Sequence, residues 1–280
     1  MPTDSRLTRR SPAAAVLKWV YVGVGLVVAL VPIVWMVAGS FRTEQDLFGH
    51  PAGLIPHQWT LHGYEGVWDQ LPFLRLLGNS VLFAGITTAL TVLFDSMCAY
   101  ALARLNFRGR DVAFWLVLVT LMVPFQVTLI PVFVELFHLG WLNTYQGLIV
   151  PRATSALGIF LFRQFFMSIP RELDEAARID GAGHFRIYWR VILPLAKPAI
   201  ATVALLNFTN LWNDLLWPLV VSSSPDMQTL PAGLALFGGQ HVTDHAVLLA
   251  GAVISLLPIA VAFFLAQRYF VAGISTSGLK

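Results

Sequence analysis

Asn207, Asn210, Asn213, Asp214 and Trp217 recur at three- and four-residue steps, a spacing that sets them along one side of a helix. Planar amides and a carboxylate beside an aromatic ring are the groups that hold a hydroxyl-rich solute, so this stripe could line a wet path. The same side chains could instead bond across a helix bundle as interhelical glue. A lone acid, Asp95, falls near the middle of another apolar run. It reads either as part of a polar wall or as a buried carboxylate bonded to Ser96 or to a neighbouring helix. Gln126 beside Pro124 and Arg152 after Pro151 are weaker candidates of the same kind.

A second constellation is the charged island PRELDEAARIDGAGHFRIYWRVILPLAKP, from Pro170 to Pro198. Pro170 suits the first turn of a helix, and Glu172, Asp174 and Glu175 complement its positive end. Gly181 has the form of a C-terminal cap, and Gly183 frees the chain to turn before a second short helix from about His184 to Val191. The expectation is two short helices joined at a glycine elbow, lying across a membrane face and offering mixed polar and aromatic contacts. The plainer reading is an interfacial helix whose aromatics anchor among lipid headgroups while its arginines attract anionic lipid.

Other chemistries find little support. His241 and His245 beside Asp244 could share a metal, but with no third ligand in sequence a solvated loop is expected. The phosphate-cradling GxxxxGK[ST] pattern is missing, so the chain is not expected to hold ATP. No serine, cysteine or carboxylate constellation suggests covalent catalysis, and Cys98, the sole cysteine, excludes a disulfide within the chain.

These groups must be positioned by membrane helices. Of 280 residues, 57% are hydrophobic and 12% charged, the balance of a polytopic membrane protein with no room for a large soluble domain. The reading is an all-α fold of about six spans, at 16–38, 79–103, 112–134, 146–166, 198–221 and 246–267, with a cytoplasmic loop at 168–197 and tails at 1–15 and 269–280. Pro32, Pro124, Pro131, Pro151, Pro218 and Pro258 lie inside these spans and suggest kinked helices around a path.

Arg6, Arg9 and Arg10 precede the first span and Lys18 lies at its start, and Arg104, Arg108 and Arg110 fall between the second and third. Arg163, Arg171, Arg178, Arg186, Arg190 and Lys197 surround the charged island, and Arg268 and Lys280 follow the last span. The opposite loops hold only Arg42 and Arg75, with Arg152 near the outer end of span four, which puts both termini and the island in the cytoplasm. A cleaved signal peptide competes for the N-terminus, but its apolar run is too long and contains Pro32.

Glu175-Ala176-Ala177, followed at fixed distances by Gly181, Val191 and Leu193-Pro194, resembles the EAA loop of the membrane subunits of bacterial ATP-binding-cassette importers. Val191 stands where isoleucine is usual. NSVLFAG at Asn79, AYALARLNFRG at Ala99, WNDLLWPL at Trp212 and QRYFVAGISTSGLK at Gln267 are similar to the carbohydrate-importer branch, the maltose-permease-like second subunit in particular.

That resemblance implies a multi-pass permease of the bacterial inner membrane that moves a sugar, oligosaccharide or sugar derivative and is not itself an enzyme. It implies a coupling role for Glu175, Ala176, Ala177, Asp180, Gly181, Ala182, Phe185, Tyr188, Leu193 and Pro194. The implied partners are a second permease subunit, a dimer of ATP-binding subunits that hold ATP and magnesium, and an extracytoplasmic solute-binding protein. Surrounding lipid is expected, nucleic acid is not, and the tail from Ser275 to Lys280 either reaches the ATP-binding dimer or is a frayed end. A stand-alone secondary transporter and a membrane enzyme compete, but no inverted repeat, chain of membrane carboxylates or catalytic cluster supports them.

Overall fold

The computed structural model describes residues 12–239 and 244–277, with backbone alone for 12–15 and 268–277. Arg6, Arg9, Arg10, His241 and Lys280 lie outside the described residues, as do 278–280 of the C-terminal tail. No strand occurs among the described residues. The helices run α1 (Pro12–Gly39), α2 (Glu44–Gly49), α3 (His62–Gln70), α4 (Phe73–Arg104), α5 (Arg110–Thr120), α6 (Phe125–His138), α7 (Tyr145–Ile149) and α8 (Ala156–Ser168). They continue with α9 (Glu172–Ile179), α10 (His184–Ile187), α11 (Leu193–Leu195), α12 (Lys197–Trp212), α13 (Leu216–Val221), α14 (Leu230–Gly238) and α15 (His245–Ser277). The chain divides into two compact units, Met1–Val67 with Val242–Val253 and Trp68–His241 with Ile254–Lys280.

In the first unit α1 is apolar on every side and buries none of its membrane-length stretch within the chain, so lipid or another subunit must cover it. The segment after it is ordered by Arg42, whose buried guanidinium bonds Asp46 Oδ2 at 2.7 Å and the carbonyls of Asp46, His50 and Gly53 at 2.8 to 3.0 Å. That hydrogen bond holds the Asp46 carboxyl well below the usual carboxylate range. Asp244 caps α15 by accepting from the amides of Ala246 and Val247, and it meets His62 at 2.7 Å. His245 pairs with Glu44 at 2.6 Å.

The second unit is built around α4, the one long apolar helix whose membrane-length stretch is substantially buried, at 44%. Two apolar clusters grip its ends. Phe83 and Ala84 pack with Leu136, Leu148, Leu211, Trp212 and Trp217, while Ala99, Tyr100 and Ala103 pack with Phe162, Phe166, Ile187, Tyr188 and Ile192.

Single continuous helices do not fill the expected spans 112–134, 146–166 and 198–221. Helices α5 and α6 meet at 96° across a break ending in Pro124, which donates no amide bond and drives Val123 out of helical geometry. Pro151 sits in a 3-10 turn (Val150–Arg152) that separates α7 from α8. Helix α8 has 13 residues, so at ~1.5 Å each it is too short to cross a bilayer alone. The third break, at 213–215, divides α12 from α13. Helices α1, α4 and α15 are each long and apolar enough to cross a membrane, and α4 and α15 extend past the expected limits.

Helix α8 starts where it does because Asp95 holds its first turn. Thr154 Oγ1 donates to Asp95 Oδ1 at 2.7 Å, and the Ser155 amide lies 3.1 Å from both carboxylate oxygens. A Cβ on Gly158 would strike Asp95 Oδ2, so that close approach requires glycine. Gly158→Ala is therefore expected to lower stability by about 1–3 kcal/mol. Gly85→Ala, where nothing lies within 4 Å of the added carbon, should leave it near wild type or slightly above. Thermal unfolding of the purified chain in detergent compares the two.

Candidate functional site

The charged island folds into α9, a left-handed elbow and a helical rod from His184 to Leu195. Helix α9 begins at Glu172, two residues after Pro170, with three acids in its first turn. Gly181 has φ +77°, its amide bonds Arg178 O at 3.0 Å, and the Ala182 amide bonds Ala177 O at 2.9 Å. Those two bonds form a Schellman cap, so the helix ends by satisfying its own carbonyls and not by fraying. The rod extends past the expected end at Val191 through a π-helical turn (Tyr188–Ile192). Pro194 supplies the reason: its ring excludes the ordinary bond to Arg190 O, and the widened turn lets the Leu193 amide reach Tyr188 O instead. Helix α12 then departs at 79° from the rod.

The two faces of this element differ. Glu175, Ala176, Asp180, Gly181, Phe185 and Pro194 are exposed, and so are the apolar Ile179 and Trp189, with Phe185 stacked on Trp189. Ala177, Ala182 and Leu193 are half-buried against the core. Tyr188, expected on the contact face with Phe185, is only 2% exposed and points inward. The hydrophobic period of the rod turns it there, between Ile187 and Ile192.

Three residues of α4 at four-residue steps receive the loop. Ser96 Oγ and Tyr188 Oη lie 2.8 Å apart, the rings of Tyr100 and Tyr188 are 5.3 Å apart, and Arg104 meets Asp174 at 3.4 Å. Arg104 also donates to Ile169 O at 2.7 Å. Both partners of the ion pair are buried, and neither Arg104 Nε nor Asp174 Oδ1 finds another bond among the described residues. Sequence reasoning missed this row. Its signal was the four-residue recurrence of Ser96, Tyr100 and Arg104 toward the basic end of an apolar helix.

A cavity of about 500 Å³ opens between α6, α12 and the joints before α8 and α13, within the range of small-molecule sites. Asn207, Asn210, Arg152, Phe125 and Trp217 are among its lining residues, and a more open recess beside it adds Gln126, Asn213 and Asp214. Asn207 is tied to Thr88 and Thr91 at 3.4 and 3.2 Å, whereas the exposed Asn210 amide makes no side-chain bond among the described residues. Arg152 lies over the Phe125 ring at 4.4 Å and bonds Asp214 at 2.8 Å. Asp214 also accepts from the Trp217 amide at 3.1 Å, starting α13.

The expected stripe is thus interrupted by the break at 213–215, which still brings Asn210 and Asp214 to one opening. Trp217 offers no free face for stacking, because it is fully buried with its indole N–H on Leu148 O. Phe125 is the ring in that position. Asp95 does not line either opening; it is fully buried and spent on the start of α8.

Residues 95–276 match the family described as binding-protein-dependent transport system inner membrane component. The chain belongs to that family. The arabinooligosaccharides transport system permease protein AraQ of Halalkalibacterium halodurans is 38% identical over 90% of this chain and 92% of its own length. The sn-glycerol-3-phosphate transport system permease protein UgpE of Yersinia pestis is 34% identical over 91% and 93%. One chain of a bacterial ABC transporter involved in the import of the acidic polysaccharide alginate superposes with a TM-score of 0.81, at 27% identity, over 96% of this chain and all of that one. The fold is therefore that of an ABC importer permease, a multi-pass transport subunit of the inner membrane.

The tether in this permease gives a direct expectation. Arg104→Met strands the Asp174 carboxylate in a buried place and should cost about 3–5 kcal/mol. Adding Asp174→Leu should restore much of the loss, with the Ile169 carbonyl still unpaired. Unfolding midpoints of both single variants and the double variant form the cycle; additive losses would contradict the pairing.

Proposed function

We propose that this permease carries an uncharged sugar or oligosaccharide into the cytoplasm and is driven by ATP hydrolysis in partner subunits. The observation that supports the solute class is the state of the cavity's charge. Arg152 is neutralised by Asp214 at 2.8 Å, so the opening offers amides, hydroxyls and the Phe125 ring, with no free cation for a phosphate or carboxylate among the described residues that line it. Relatives with named substrates include one for arabino-oligosaccharides and one for a phosphate ester, and the paired arginine favours the neutral class here.

In this reading both termini and the Glu175–Pro194 loop face the cytoplasm. The exposed Ile179, Phe185 and Trp189 seat in an ATP-binding subunit, where ATP and magnesium are held. Phe185, Glu175 and Asp180 contact that subunit, while Tyr188 and Asp174 pass its movement to α4 through Ser96, Tyr100 and Arg104. A second permease subunit covers the apolar flank, lipid covers the remainder, and an extracytoplasmic binding protein delivers the solute. Asn210 and Asn213 contact the solute, and Asp214 acts by holding Arg152.

The elbow is the sensitive point, because Gly181→Pro cannot keep φ at +77° and loses the amide bond to Arg178 O. The change should cost about 3 kcal/mol locally, more than the ~1.4 kcal/mol of a tenfold effect. Proteoliposomes containing the whole complex should take up a neutral oligosaccharide only with internal ATP and the binding protein. With Gly181→Pro, uptake should fall by about tenfold or more while the subunits still assemble. Uptake of a phosphate ester in preference to the neutral sugar would contradict the solute class, and normal uptake by the variant would contradict the coupling route.

A further inference from the structure

Between α1 and α3 a cluster unconnected with transport chemistry gathers three metal-ligand side chains on one carboxylate oxygen. Asp46 is nearly buried, and Arg42 occupies its Oδ2 at 2.7 Å, leaving Oδ1 turned to two imidazoles. His57 Nδ1 lies 2.8 Å from Oδ1 and His50 Nδ1 lies 3.4 Å from it, with the two rings 4.3 Å apart between centroids. The three candidate donor atoms fall within 4.8 Å of one another.

We infer that Asp46, His50 and His57 form a binding site for a zinc-class divalent metal ion. Tetrahedral zinc with bonds of ~2.0–2.2 Å places its donors roughly 3.3 Å apart, so the two contacts to Oδ1 are already close to the required spacing. Two imidazoles and one carboxylate are borderline donors that suit zinc and its first-row neighbours better than calcium or magnesium.

The support behind the donors is also in place. Arg42 orients the carboxylate and simultaneously fixes the His50 carbonyl and the Gly53 carbonyl, so the loop is set before an ion arrives. The His57 amide adds a bond to Asp46 Oδ2 at 3.2 Å, which anchors the second histidine's backbone to the same acid. The positive Arg42 weakens attraction for a cation, and the ionised Asp46 offsets it. Both imidazoles are about 60% exposed, which gives the ion an entry path and leaves its fourth position to water. A bound ion would staple 46 to 57 and stiffen the segment between the first two long helices.

Cobalt(II) is a suitable probe because its visible d–d bands report tetrahedral binding where zinc is silent. The tag-free full chain in detergent, stripped by a chelator, should bind one equivalent of cobalt, and zinc should displace it. His50→Gln and His57→Gln should each abolish the bands while unfolding at the wild-type temperature in the absence of metal. His62→Gln, in the pair with Asp244, should retain them. A wild-type chain without bands, bands that persist in both cluster variants, or bands lost in His62→Gln would each overturn the site.

Discussion

Buried polar groups on one helix need partners, and the second unit is organised by how α4 meets most of that demand. An unpaired polar group in an apolar interior costs several kcal/mol, so each bond fixes both the rotation of α4 and the place of its neighbour. Asn79 donates to the carbonyls of Asp226 and Gln228 and accepts from Tyr145, and Ser80 Oγ accepts the Leu230 amide. Toward the middle, Thr88 and Thr91 receive Asn207 of α12, and Asp95 starts α8. At the far end Ser96 and Arg104 hold the loop through Tyr188 and Asp174. One slip of α4 by a residue would strand most of these groups at once.

Stiffness along α4 contrasts with the joints around it. The cavity is walled where helices break: before α6, between α7 and α8, and before α13. Non-helical backbone at membrane depth is tolerated where it is buried in protein or lines a water-filled opening, which matches this placement. The same breaks supply Arg152 and Asp214, whose pairing needs neither residue to lie mid-helix. Asp95 and Asn207 tie α8 and α12, which adjoin those joints, to α4.

Much of this was legible in the chain itself. Gly181 announced the elbow because only a left-handed residue ends α9 so abruptly, and the EAA spacing identified the family. The all-helical class followed from composition. Less legible was the rod beyond Val191, since the π-helical turn that accommodates Pro194 leaves no mark in hydrophobic period. Tyr188 reads with Phe185 because a three-residue step sets both toward one side of a helix; what draws Tyr188 inward is the apolar flank of Ile187 and Ile192. Trp217 looked like a stacking ring, and its burial comes from contacts with Leu148 that are 69 residues away in sequence. Asp95 could be read two ways until α8 was seen to begin on it.

With Ser96, Tyr100 and Arg104 held to Tyr188 and Asp174, the Glu175–Pro194 loop and the adjoining end of α4 are expected to move as one body. Nitroxide labels at Leu93→Cys and Arg186→Cys, both exposed positions, would report it in a Cys98→Ser chain assembled with its partners. Pulsed electron resonance distances should be the same with and without nucleotide, even while uptake proceeds. A distance distribution that shifts on nucleotide binding would show the loop sliding over α4 and would contradict their movement as one body.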